Sequence, residues 1–224
     1  MDLFRTHELF EIEVLEKLKN SKFLESLVFG GGSMLRLCYE LPRYSADLDF
    51  WFIKKLDIDA YFNNLVSLLK EDYDVTDAQI KHYTLLIEIR SQVYPRRLKI
   101  EIRKELKESD SQDRIAFSKY STKQVILKTH TLEQTMKNKI AALLDRGEIR
   151  DCFDIEFLLR KGIDLPADIG GRSDRLLKTI DGFKERDFKV KLGSILDADF
   201  REYYVTQRFS YLKEKLSAPS PETF

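Results

Sequence analysis

The sequence predicts an α/β (α+β) fold, a mixed sheet with flanking helices followed by a C-terminal helical bundle, and three observations predict it. Residues 83–90 (YTLLIEIR) and 97–103 (RLKIEIR) alternate with period two around SQVYPR, the pattern of a β-hairpin. Ser26–Phe29 and Asp47–Phe52 add two shorter strands, the second rich in residues of high β propensity. After about residue 115 the texture turns helical, which divides the chain into domains at 1–115 and 116–224.

The remaining elements follow from local chemistry. Residues 6–20 place Phe10, Val14 and Leu18 at four-residue spacing and read as an amphipathic helix. A helix starts within Ser33–Cys38, and Pro42 ends that segment. Asp59–Lys70 reads as a helix with Asp59 as its N-cap. Thr131-Leu-Glu-Gln134 has a capping-box pattern that opens a helix to about Asp145, with Gly147 as its stop. Residues 150–161 form the next helix, GIDLPADIGG is a loop, residues 173–216 hold two or more helices, and the tail SAPSPETF reads as disordered.

Composition narrows the function classes. With 224 residues, 43% hydrophobic and 34% charged, the chain is long enough for a true core. Lys plus Arg and Asp plus Glu both number 38, so a uniformly basic nucleic-acid coat is excluded and any such contact is local. Cys38 and Cys152 are too few for a disulfide framework or a cysteine zinc cluster and suit a reducing compartment. No apolar run approaches about 18 residues and no signal peptide is visible, so no membrane role and a cytoplasmic location are expected.

The chemistry concentrates in residues 28–50, VFGGGSMLRLCYELPRYSADLDF. A strand running into Gly31-Gly32-Ser33 lets the backbone approach an anion without Cβ interference. Asp47 and Asp49, two apart on a strand, project from one face, where they repel each other unless a cation lies between them. Phosphate donors beside paired carboxylates suit a nucleotide and a divalent metal, Mg²⁺ or Mn²⁺. Such metal chemistry usually adds a third carboxylate from a neighbouring strand. Glu88 and Glu101 are the candidates, each an acid between isoleucines. Glu101 is favoured, because the second hairpin strand is the one expected beside the Asp-x-Asp strand. The competing reading puts both acids on a solvated face against Arg90, Lys99 or Arg103. Arg43 and Ser45 either help hold phosphates or order the loop before Asp47.

These residues resemble the AbiEii/AbiGii family of nucleotidyltransferase-fold toxins, the toxin halves of AbiE-type toxin–antitoxin systems. The resemblance rests on Gly31-Gly32-Ser33-Met34-Leu35-Arg36-Leu37 and Arg43-Tyr44-Ser45-Ala46-Asp47-Leu48-Asp49-Phe50. A second block follows in Lys139-Ile140-Ala141-Ala142-Leu143-Leu144-Asp145-Arg146 and Arg150-Asp151-Cys152-Phe153-Asp154. It implies a nucleotidyltransferase-like sheet in the N-terminal half and a helical domain that completes the cleft. It implies that Lys139 contacts the nucleotide phosphates and that Asp151 is a catalytic or structural acid. It also implies an RNA acceptor, with the tRNA 3′ end as one form, a growth-inhibiting outcome and a cognate antitoxin as partner. The chain departs from many relatives at Glu40-Leu41-Pro42, where they carry a glycine turn, and it is shorter than many of them.

The expected mechanism is a metal-dependent transfer of a nucleoside monophosphate from an NTP to an acceptor hydroxyl. Gly31, Gly32 and Ser33 hold the triphosphate, Asp47 and Asp49 the metal against it, and Glu101 the metal beside the acceptor. Protein nucleotidylation by the same site and a non-catalytic nucleotide-binding or partner-binding module are the alternatives. Six basic residues lie between 90 and 104 around Tyr94, either an RNA patch with a stacking ring or an ordinary hairpin tip. His7, His82 and His130 are too scattered for a zinc site and read as structural.

Overall fold

The computed structural model describes residues 3–106 and 108–218, so the expected disorder of the tail concerns residues that lie, from 219 on, outside the described ones. In chain order the first elements are α1 (Leu3–Asn20), β1 (Leu27–Gly30), α2 (Gly31–Tyr39), β2 (Asp47–Phe52) and α3 (Ile58–Lys70). Then come β3 (Asp74–Ile80), β4 (Thr84–Arg90), β5 (Leu98–Arg103), β6 (Ser111–Phe117) and β7 (Gln124–His130). The helices α4 (Leu132–Arg146), α5 (Ile149–Arg160), α6 (Gly170–Asp181), α7 (Ala198–Gln207) and α8 (Ser210–Ser217) complete the chain.

The contacts separate two compact units: Met1–Glu40 with Tyr44–His130, and Leu41–Arg43 with Thr131–Phe224. The sequence reading placed a boundary at 115/116, a position inside β6; the sheet itself continues to His130 through β7.

In the first unit the seven strands form one mixed sheet in the order β3-β4-β5-β2-β1-β7-β6. β1 runs antiparallel to β2 and parallel to β7, while β2 runs parallel to β5. The period-two pattern sorts the faces. Leu48, Phe50 and Phe52 of β2, Ile100 and Ile102 of β5, and Leu85, Ile87 and Ile89 of β4 are buried. Their neighbours Asp47, Asp49, Lys99 and Glu101 are only half-buried. Helices α1 and α3 pack on strands of this sheet, with Tyr61 edge-on to Phe52 at 5.1 Å. Burying such aromatic and branched side chains stabilises the sheet by about 1.5–3 kcal/mol each.

Several caps follow the sequence and one does not. The Thr131 hydroxyl accepts from Gln134 N–H at 3.1 Å, and Gly147 ends α4 at φ 63°. The Gln134 amide turns to Asn138 instead of closing the box. The cap of α3 is Asp57, not Asp59: Asp57 accepts from Ala60 N–H at 3.0 Å, which leaves Asp59 in the first turn facing the helix dipole. The expected loop GIDLPADIGG is shorter than read, since a 3₁₀ turn at Ala167–Ile169 follows Pro166 and α6 begins at Gly170. A π-helical turn, Asp187–Leu192, lies between α6 and α7.

In the second unit, Leu41–Arg43 is held by an Arg43–Leu196 bridge and by Asp197 N–H donating to the Pro42 carbonyl. Glu156, fully buried on α5, accepts from Arg160 at 2.9 Å and from the Leu212 backbone at 3.2 Å, tying α8 to α5.

Candidate active site

The glycine turn is built against Asp49. Gly30 of β1 lies in register with Asp49 of β2, and α2 begins at the next residue. Gly31 has φ +73°, and a Cβ there would lie 2.2 Å from Asp49 Oδ2. Backbone conformation and space both require glycine at this position. At Gly30 a Cβ would stand 2.6 Å from the Trp51 ring and 2.8 Å from His130. The result is the amino end of a nine-residue helix placed directly beside a carboxylate. Its first-turn N–H groups have no partner within the helix and carry the positive end of its dipole, which suits an anion or a phosphate.

Register sets the carboxylates. In the parallel β2–β5 pair Asp47 lies opposite Lys99 and Asp49 opposite Glu101. Glu101 therefore stands beside the Asp-x-Asp strand, as the sequence suggested. Glu88 is one strand further away, opposite Lys99, and its carboxylate accepts from Thr76 at 2.7 Å and Arg97 at 2.8 Å. The Thr76 hydrogen bond leads the causes that hold Glu88 below the usual carboxylate range.

A cation already lies in this row: the Lys99 ammonium is 3.0 Å from Glu101 Oε1 and 3.5 Å from Asp47 Oδ2. Burial works against its charge, yet the two carboxylates prevail and raise its pKa. Among the described residues no three His, Cys, Asp or Glu side chains converge as a ready cluster. Half-exposed carboxylate oxygens that hold a cation in this way nevertheless suit Mg²⁺ or Mn²⁺. Lys99 is one of the partners the competing solvated-face reading offered for Glu101, and the pair forms, two residues apart on one face of β5.

A second missed layer lies on α1, behind the turn. Glu8 pairs with Arg36 at 3.0 Å, both nearly buried, and Arg36 also lies over the Tyr44 ring at 4.4 Å. His7 Nε2 is 3.0 Å from the Ala46 carbonyl, and burial leads the causes that lower its pKa. Ser33 is fully buried, with its hydroxyl 2.6 Å from the Asp47 carbonyl and 2.8 Å from Glu11 Oε1. With its hydroxyl engaged in this way, Ser33 offers its backbone N–H, like Gly31 and Gly32, toward the helix terminus. Ser45 is half-buried just before Asp47.

The second unit gathers the other named residues. Arg43 donates twice to Asp154, at 2.6 Å each, and is 2% exposed, which fits loop ordering, the second of the two roles the sequence left open for it. Lys139 lies 2.7 Å from Asp154 and 3.3 Å from Asp151, and Arg146 clamps Asp151 with two bonds of 2.7 Å. Neither aspartate has any exposed surface. Burial alone would raise Asp154, but the Arg43 and Lys139 charges hold it below its usual value. Of the two roles implied for Asp151, catalytic or structural, an enclosed carboxylate with two cationic partners fits the structural one, holding Lys139 and Arg146. Lys139 itself keeps 9% of its side chain exposed.

The hairpin supplies no free stacking ring at Tyr94. That ring stacks on Phe10 at 4.6 Å and its hydroxyl donates to Glu13 at 2.7 Å.

Comparison with known proteins bears on the family and the fold. At the level of family, the model described as "Nucleotidyl transferase AbiEii toxin, Type IV TA system" matches residues 13–209. No curated protein matches the chain. Among solved structures, a candidate nucleotidyltransferase from H. pylori is similar, with TM-score 0.57 and 22% identity over 96% of this chain and 97% of its own. MenT4, a nucleotidyltransferase toxin from Mycobacterium tuberculosis, gives TM-score 0.58 and 17% identity over 93% of this chain and 83% of its own. At these identities the two structures speak for the fold.

Proposed function

The chain belongs to the AbiEii family of nucleotidyltransferase toxins of type IV toxin–antitoxin systems, and from that premise we propose that it transfers a nucleoside monophosphate from an NTP to an RNA hydroxyl, with the tRNA 3′ end as the first acceptor to test. The register that sets Gly30–Gly31 on one side of Asp49 and Glu101 on the other carries this reading. It joins a phosphate-binding helix terminus to carboxylates on neighbouring strands. No helix among the described residues is long and apolar enough to cross a membrane; a cytoplasmic site of action and a cognate antitoxin complete the proposal.

Asp47, Asp49 and Glu101 would hold Mg²⁺ or Mn²⁺, which when bound offsets phosphate charge and lowers the pKa of an acceptor hydroxyl. The rest is derived from the chain. The backbone N–H groups of Gly31, Gly32 and Ser33 bind the NTP phosphates and orient the α-phosphorus. The acceptor oxygen forms a bond to that phosphorus in line as the bond to the bridging oxygen breaks, and pyrophosphate leaves with its electron pair. The hydroxyl proton passes to solvent water at the half-exposed Glu101 end of the row. The family resemblance implies a phosphate-contacting role for Lys139, whose ammonium is held by Asp151 and Asp154.

Incubation with α-phosphate-labelled NTPs, total tRNA and Mg²⁺ tests the reading. Label in the tRNA is the expected result. No label from any NTP overturns the RNA assignment, and label on protein instead identifies nucleotidylation of a side chain.

A further inference from the structure

The hydrogen bonds behind the glycine turn pose a question of proton count. The Ser33 hydroxyl has one proton, and it stands 2.6 Å from the Asp47 carbonyl oxygen and 2.8 Å from Glu11 Oε1. The carbonyl can only accept, and 2.6 Å is a hydrogen-bonded separation for two oxygens. The Ser33 proton therefore points at Asp47, and the second contact needs a proton from Glu11.

The surroundings of Glu11 favour the neutral acid. It is 1% exposed, and the charged groups facing it are Glu8 on its own helix, Arg36 on α2 and Asp47 on β2. Arg36 is already engaged by Glu8. Burial is the leading cause that pushes the Glu11 carboxyl well up; Glu8 and Asp47 add to it, and Ser33 and Arg36 oppose it without prevailing.

We propose that Glu11 is a positioning residue for nucleotidyl transfer: as a carboxylic acid it donates to Ser33, and Ser33 in turn fixes the Asp47 backbone and with it the Asp47 carboxylate. This rests on reading the β2–β5 carboxylates as the transfer site. The relay crosses three elements, α1, α2 and β2, and it explains why the serine of the glycine turn is fully buried. A neutral Glu11 adds no charge to the carboxylate row and does not compete for its cation. Ionised, it would leave Ser33 with two acceptors and one proton.

The test compares Glu11→Gln, Glu11→Ala and the unaltered full chain. Glutamine can donate to Ser33 as the acid does, so E11Q is expected to keep kcat within about threefold. E11A, with Asp47 released, is expected to lose about 100-fold in kcat with little change in KM for the NTP, the cost of a misplaced reacting group. A melting series independent of activity comes second. A carboxyl raised in the folded state contributes stability that is complete below its unfolded pKa and is lost as pH rises through the folded one. E11Q has no such group, so its melting temperature relative to the unaltered chain should rise from about pH 5 to about pH 9. Rescue by glutamine together with a pH-dependent melting gap supports the proposal. An E11Q as inactive as E11A, or a gap that does not change with pH, overturns it. If E11A does not fold, E11Q across pH still decides. If the unaltered chain transfers no nucleotide, the functional reading fails and the melting series still judges the state of Glu11.

Discussion

The carboxylates of the β2–β5 row and those of α5 differ first in exposure and then in their counter-ions. Asp47 and Glu101 keep 37% and 24% of their side-chain surface and share the single ammonium of Lys99. Asp151 and Asp154 keep none and are held by Arg43, Lys139 and Arg146. Enclosed carboxylates that outnumber their own charge in cations are neutralised and immobile, which suits a scaffold. Half-exposed carboxylates with one ammonium between two of them still have oxygen lone pairs for another cation. Both clusters read as Asp-rich motifs in the sequence, and counter-ion count and burial are what set them apart.

The sharpest break in the comparison is an exchange of phenotypes. Asp49→Ala should lower transfer at least about 1000-fold, equivalent to roughly 4 kcal/mol, while leaving the melting temperature unchanged or higher. Asp154→Ala should do the reverse to stability and cost about 3 kcal/mol by stranding Arg43 and Lys139, read by denaturant unfolding. Because Asp154 is held below its usual value, its contribution is present above its unfolded pKa and is lost as pH falls through the folded one. The unaltered chain should therefore lose stability on acidification below about pH 4 more steeply than Asp154→Ala does.

Two smaller effects sharpen the account of the first cluster. Gly31→Ala should cost about 1–2 kcal/mol for a left-handed backbone, measured by thermal melting. It should also lower transfer, because the new Cβ meets Asp49. Lys99→Met should tighten Mn²⁺ binding by about three- to tenfold in a titration without nucleotide, since it removes the resident cation. Its effect on stability should stay within about 1 kcal/mol, as befits a half-exposed pair.

Much of the first unit was legible because its central strands bury one face. The alternation in 83–90 and 97–103 identified β4 and β5, and Asp47–Phe52 identified β2. From these the position of Glu101 followed. The strands β3, β6 and β7 were not legible: β3 and β6 are the two edges of the sheet, where DVTDAQI and SQDRIAF bury too little to show a clear apolar face, and β7, though interior, lies beyond residue 115, where the sequence reads as helical. Glu11 was hidden differently. It lies one turn from Val14 and Leu15 on the buried side of α1, yet a glutamate among those apolar residues carries no signal of its own, and its partner Ser33 is 22 residues away on α2. For Asp151 and Asp154 the motif was visible, whereas one partner of Asp154, Arg43, lies more than a hundred residues earlier in the chain.

The central claim is that the half-exposed row on β2 and β5 does the chemistry. Its most direct test is the initial rate of label transfer from α-phosphate-labelled NTPs to tRNA, measured for the unaltered chain and for Asp49→Asn, with both shown by melting to be folded. The account predicts labelled tRNA with the first and only background with the second. Transfer by folded Asp49→Asn at the unaltered rate would contradict it.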